Sequence, residues 1–146
     1  MSLQNTYLKY RQSQIETTPK LKLIVMLFDG AIRFLQQSIP YMKESDFEQK
    51  GKCINRSLAI ISHLTGTLDF TSGGELADNL CRTYLYLTQR LVEANHKNDP
   101  AIVNEVVLHL RVLRDAWNTV SQGTENEADK ASKTSTQNRS DLSLAA

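Results

Sequence analysis

Apolar residues recur at steps of three and four along four stretches of the chain, the spacing of one face of an α-helix. The first stripe is Leu21, Ile24, Phe28, Ala31, Leu35, Ile39 and Met42. The second is Ile54, Leu58, Ile61, Leu64 and Leu68. The third is Leu76, Leu80, Tyr84, Leu87, Leu91 and Ala94, and the fourth is Val103, Val106, Leu110, Leu113, Trp117 and Val120. No segment sustains a period of two, so no strand is predicted. Polar residues mark where the helices start. Thr18-Pro19 and Asp99-Pro100 each offer an oxygen as N-cap and a proline at the first helical position. Asp46 with Gln49 three residues later reads as a capping box. Gly73-Gly74 marks the start of the third helix, with Glu75 in its first turn.

Short connections at 43–46, 70–74 and 96–99 favour antiparallel neighbours, so the predicted fold is all-α, an up-down four-helix bundle. Pro40 conflicts with the first stripe. Inside a helix it removes a hydrogen bond and presses on the carbonyl of Gln36, at a cost of about 3 kcal/mol. The first helix is therefore expected to kink or end near Ser38, with Tyr41 and Met42 in a short continuation. The ends differ from the body. Residues 1–17 carry Leu3, Tyr7, Leu8, Tyr10 and Ile15 among polar neighbours and read as an arm lying on the bundle, which spans 18–120. Residues 121–146 hold no aromatic, valine or isoleucine, and so bury too little apolar surface to offset ordering. That tail is expected to be disordered.

Composition narrows the function classes. The 146 residues carry a formal charge of +1, which provides no strong field for nucleic acid or an anionic membrane. No apolar run is long enough to span a bilayer, and the polar N-terminal residues are not expected to act as a secretory signal. Cys53 and Cys81 stand far apart and in no motif, as expected of thiols in a reducing cytosol. His63, His96 and His109 form no metal-ligand spacing, and the glycines form no phosphate loop. The stripes place no Glu or His cluster toward a bundle centre, so no cofactor, metal or enzyme activity is expected. Asp29 and Asp69 are isolated carboxylates, read as helix-surface or helix-end groups.

The binding candidates are polar groups on packing helices. Asp29-Gly30 falls inside a strong helical stripe, where glycine costs about 1 kcal/mol relative to alanine. It is either a tolerated surface glycine or a place where another helix comes close. Tyr84 and Tyr86 are two positions apart and so point in very different directions on a helix. Tyr84 suits the stripe, so Tyr86, like Asn79, is the better candidate for the outward side, facing a groove, the arm or a partner. Asn95 is a further amide on the same helix.

Taken in order, several segments resemble the FliS-type flagellin export chaperones. Leu27-Phe28-Asp29-Gly30-Ala31 resembles one signature of that family. Gly73-Gly74-Glu75-Leu76-Ala77 with Asn79-Leu80 resembles another. Tyr84, Tyr86, Arg90-Leu91, Ala94-Asn95, Asn98-Asp99 and Asp115-Ala116-Trp117 continue it in register. The resemblance spans about Tyr7 to Val120, and Tyr10 stands where the family carries an arm tyrosine. Tyr7 departs from the apolar residue that some relatives have. The resemblance implies a chaperone in the bacterial cytosol. Its client would be the C-terminal segment of flagellin, bound as helices in grooves, kept from polymerising early and delivered to the flagellar export gate. Tyr7, Tyr10, Asp29, Gly30, Asn79, Tyr84, Tyr86 and Asn95 are the implied partner-binding residues. An alternative is a helical homodimerisation or adaptor module of flagellar assembly, with a second copy in the grooves when no client is present.

Overall fold

The structure, a computed structural model, describes the backbone of residues 2–145 and the side chains of residues 19–123. Four helices follow one another: α1 (Ser2–Lys43), α2 (Phe47–Gly66), α3 (Phe70–Lys97) and α4 (Pro100–Ala145). No strand occurs among the described residues. The chain divides into two compact units. One combines Met1–Leu23 with Ala116–Ala146; the other is Ile24–Asp115. Arm residues 1–17 lie outside the described side chains, as does all of the expected tail but 121–123.

Within Ile24–Asp115 the stripes form a common core. Phe28, Leu35, Ile54, Ile61, Leu64, Leu87, Leu91, Val103, Val106 and Leu110 are buried, as is Tyr84, whose ring lies 6.3 Å from that of Phe28. Pairs along the seams give the helix directions. Gly30 meets Ile60 and Phe34 meets Arg56 between α1 and α2, so these two helices run antiparallel. Tyr86 meets His109 and Arg90 meets Glu105 between α3 and α4, which is again antiparallel.

Leu76 departs from its predicted place: it is 63% exposed, and Ala77 is buried instead. Each step of four residues overshoots a full turn by 40°, so the run Leu76, Leu80, Tyr84 rotates across the face. Ala77 precedes Tyr84 by seven residues and keeps its direction.

The helix ends follow the predicted caps with four corrections. The Asp46 carboxylate accepts from the Gln49 N–H at 3.2 Å, but the Asp46 N–H donates to the Tyr41 carbonyl, so only half of the capping box forms. Asp99 Oδ1 accepts from the Ala101 N–H at 2.9 Å, and α4 starts at Pro100 as expected. Thr18-Pro19 does not start α1, which runs from Ser2. Nor does Pro40 end it: the Glu44 N–H still donates to the Pro40 carbonyl at 3.1 Å. Proline removes one donor only, and Gln36, whose carbonyl it frees, is exposed to water. Burial of Met42 beyond it contributes about 1.5–3 kcal/mol, which offsets the proline.

The fourth correction concerns α3. Asp69 caps it, accepting from the N–H groups of Thr71 and Ser72. The connection is thus three residues long, and 70–73 form a helical turn rather than a loop. Gly74 then breaks the helix, with φ 51° and ψ −125°, before it resumes at Glu75. An L side chain is strained there although space is open around it. Gly74→Ala is expected to cost about 1–3 kcal/mol in urea denaturation through backbone strain alone. Unchanged stability would mean that the break can be relaxed.

Cross-ties hold one end of the bundle. The Asn98 side chain donates to the Met42 carbonyl at 3.1 Å, joining the ends of α3 and α1. Lys50 is 4% exposed, and its ammonium donates to the Asn95 carbonyl at 3.0 Å. A cation suits the negative end of the α3 dipole, and the Phe47 ring covers it at 4.8 Å. The helical stripes gave no sign of this buried lysine, because a polar residue at a core position breaks the pattern they rest on.

Candidate helix-binding face

Position on α3 sorts the candidate residues. Tyr84 belongs to the core, with 2% of its surface exposed. Asn95 follows it by eleven residues, about three turns, and so lies on nearly the same side; its carbonyl is taken by Lys50. Tyr86 is 45% exposed. Asn79, also exposed, precedes Tyr86 by seven residues and shares its side.

Tyr86 stands at the centre of a polar network that crosses from α3 to α4. Its hydroxyl donates to Glu105 Oε1 at 3.0 Å. Arg90 donates through Nη2 to Glu105 Oε2 and through Nη1 to Glu93 Oε2, both at 2.6 Å. Lys97 donates to the other oxygen of Glu93 at 2.7 Å. The His109 ring meets the Tyr86 ring edge to face at 6.1 Å. Leu108 and Val112 continue this side along α4, 62% and 70% exposed. They follow the polar network at steps of three and four residues, so apolar and hydrogen-bonding groups share one face.

The protonation states follow from these contacts. Hydrogen bonds from Arg90 and then Tyr86 hold the Glu105 carboxyl below its ordinary value. Lys97 does the same for Glu93, followed by Arg90. Donation to Glu105 pushes the Tyr86 phenol up, and the same carboxylate raises Arg90. Each shift thus favours the charged form of Glu93, Glu105 and Arg90 and the neutral form of Tyr86. Because both carboxyls are depressed relative to an unfolded chain, their contribution to stability is present above 4.5 and lost as pH falls through the lower folded values. Urea melts from about pH 6 to about pH 3 are expected to show a steeper acid loss for wild type than for Glu105→Gln. Equal slopes would show that the network carries no such linkage.

Asp29 and Gly30 lie elsewhere. Gly30 is buried against α2, and a Cβ there would lie 3.4 Å from Ile60 Cδ1, at the edge of ordinary van der Waals contact. Of its two sequence readings, the surface glycine is the one that its burial argues against. The exposed Asp29 accepts from Arg114 at 3.2 Å and joins α1 to α4. The Arg114 guanidinium is raised further by that contact and then by Asp115. Tyr7 and Tyr10 fall outside the described side chains.

Sequence reasoning did not single out Glu93, Glu105, Leu108, His109 or Val112 as site residues. The spacing of Arg90, Glu93 and Lys97 was a legible signal, since residues three and four apart are helical neighbours. Glu105 had no such signal, because only the antiparallel return of α4 brings it to Arg90.

The face contains donors, acceptors and apolar side chains, which suit an amphipathic helix lying across it. Among the described residues there is no cluster of side chains fit to hold a metal ion, and no helix is long and apolar enough to cross a membrane.

Residues 3–124 match the family model described as flagellar protein FliS. The chain is 31% identical to the flagellar secretion chaperone FliS of Bacillus subtilis, over 87% of this chain and 94% of the relative. It is 36% identical to the flagellar secretion chaperone FliSB of Pseudomonas aeruginosa, over 75% and 87% of the two chains. Against FliS of Salmonella typhimurium the identity is 34%, covering 75% and 82%.

Proposed function

The chain belongs to the FliS family of flagellar proteins, and from that premise we propose that it is a cytosolic secretion chaperone for flagellin. It holds the C-terminal segment of flagellin as helices and prevents early polymerisation. It then brings the complex to the flagellar export gate. The observation that carries this reading is the α3–α4 face, where exposed Leu108 and Val112 adjoin the Tyr86–Glu105–Arg90 network. A client helix would bury its apolar side on Leu108 and Val112. Its polar residues would meet Tyr86 and Asn79, or compete for Glu105. Ordering a disordered client consumes several kcal/mol of the gross interaction, which keeps a large interface releasable. No chemical step is assigned to the chain, which acts by binding alone.

Isothermal titration with the C-terminal segment of the host's flagellin tests this reading. Saturable binding is expected, together with a gain in helical circular dichroism as the client orders. A folded chain that binds neither this segment nor whole flagellin would remove the reading. Size measurement separates it from the adaptor alternative: a dimer that persists unchanged with client bound would favour a structural role.

A further inference from the structure

A second, unassigned surface lies on the seam between α1 and α2. The half-buried Phe34 ring is flanked by two guanidiniums, Arg33 at 5.9 Å and Arg56 at 5.6 Å from its centroid. Both arginines are exposed, and neither is paired with a carboxylate among the described residues. Beside them is a shallow concavity of about 380 Å³, whose walls include Gln37, Pro40, Tyr41, Glu44, Lys52 and Arg56. Lys52 adds a third cation. Its pairing with Glu48, at 3.4 Å and solvent-exposed, is weak enough to exchange.

We propose that this seam docks an acidic segment of a protein partner, with carboxylates one helical turn apart meeting Arg33 and Arg56. Charge and shape both support that occupant. A guanidinium offers a planar fork that matches a carboxylate with two hydrogen bonds. The Phe34 ring attracts both guanidiniums before the partner arrives, so somewhat less freedom is lost on binding. The concavity accepts one partner side chain next to the carboxylates, against Pro40 and Tyr41. A nucleic acid or an anionic membrane is a poorer fit. Each needs a broad run of cations, whereas Glu44 and Glu48 interrupt this seam and the whole chain carries only +1. The proposal does not rest on the flagellar reading, because the arginines and the concavity would act on any acidic partner.

The test uses the full chain and a blocked, labelled peptide of repeated Glu-Ala-Ala-Glu units, whose glutamates recur at helical spacing. Fluorescence anisotropy is expected to show saturable binding that weakens with added salt. The double variant Arg33→Gln/Arg56→Gln should lose about tenfold or more in affinity, since each charge-assisted hydrogen bond contributes about as much as one decade. Its melting curve and its binding of the flagellin segment should stay as in wild type. Amide NMR shifts in wild type should centre on Phe34, Gln37, Tyr41 and Arg56. The proposal is overturned if the peptide fails to bind, if a glutamine version binds equally, or if the double variant binds as tightly. It is also overturned if shifts centre on Tyr86 and Leu108. Tighter binding of an oligothymidylate or of phosphatidylserine vesicles to the same arginines would reassign the seam to a polyanion.

Discussion

Replacing Leu108 and Val112 together by glutamate is expected to lower affinity for the flagellin segment by at least about a hundredfold, while the chain stays folded. Burying a leucine or valine side chain contributes about 1.5–3 kcal/mol each. Two such losses exceed the 1.4 kcal/mol per tenfold change by a wide margin. The glutamates also bring negative charge beside Glu105, so a client helix would have to desolvate them. Stability should hardly move, because the two side chains are 62% and 70% exposed and exposed substitutions usually stay within about 0.5 kcal/mol. Titration calorimetry reads the affinity, and thermal melting followed by circular dichroism reads the fold. Undiminished binding would place the client elsewhere on the bundle.

The second large effect separates two tyrosines that stand two residues apart. Tyr84→Ala removes a buried ring packed on Phe28 and is expected to cost about 3–5 kcal/mol of stability. The molecules that remain folded should bind client as before. Tyr86→Ala should do the reverse: a nearly unchanged melting curve, with binding weakened by about tenfold or more through loss of an interface aromatic. Urea denaturation and calorimetry on the two variants check this. If both lose stability and neither loses binding, Tyr86 is only a strut between α3 and α4.

The split between Tyr84 and Tyr86 was legible in the sequence because helical geometry alone separates residues two apart. The core was legible for the same reason: Phe28, Leu35, Ile61, Leu87, Leu91, Val106 and Leu110 occupy the places that their spacing predicts. Misreadings arose where a local rule met a competing contact. Pro40 reads as a kink or an end of the helix; it is not the end, since Met42 beyond it is buried and α1 continues to Lys43. Gly74 reads as a helix start, yet the Asp69 cap adds one turn ahead of it. Leu76 reads as core because steps of four look periodic, yet they drift around the helix. The candidate site was legible only in part. Asn79 and Tyr86 have a phase on α3 that marks them as outward. Glu105, Leu108, His109 and Val112 join them through the return of α4, a long-range fact that no local spacing records. Lys50 shows the same limit, since its acceptor lies 45 residues away.

The seam between α1 and α2 and the face of α3 and α4 differ in the partner they suit. Arg33 and Arg56 have unspent positive charge over an aromatic ring. The Tyr86 network is already balanced, with its carboxylates and cations paired among themselves. Salt should therefore weaken binding at the seam far more than at the balanced face, where apolar burial dominates.

Hydrogen–deuterium exchange of the chain, alone and saturated with the C-terminal segment of flagellin, tests the central claim most directly. The account predicts slowed exchange across α3 and α4 around Tyr86, Leu108 and Val112, with the α1–α2 seam at Phe34 and Arg56 left unchanged. Saturable binding with protection confined to the seam, or with none on α3 and α4, would contradict it.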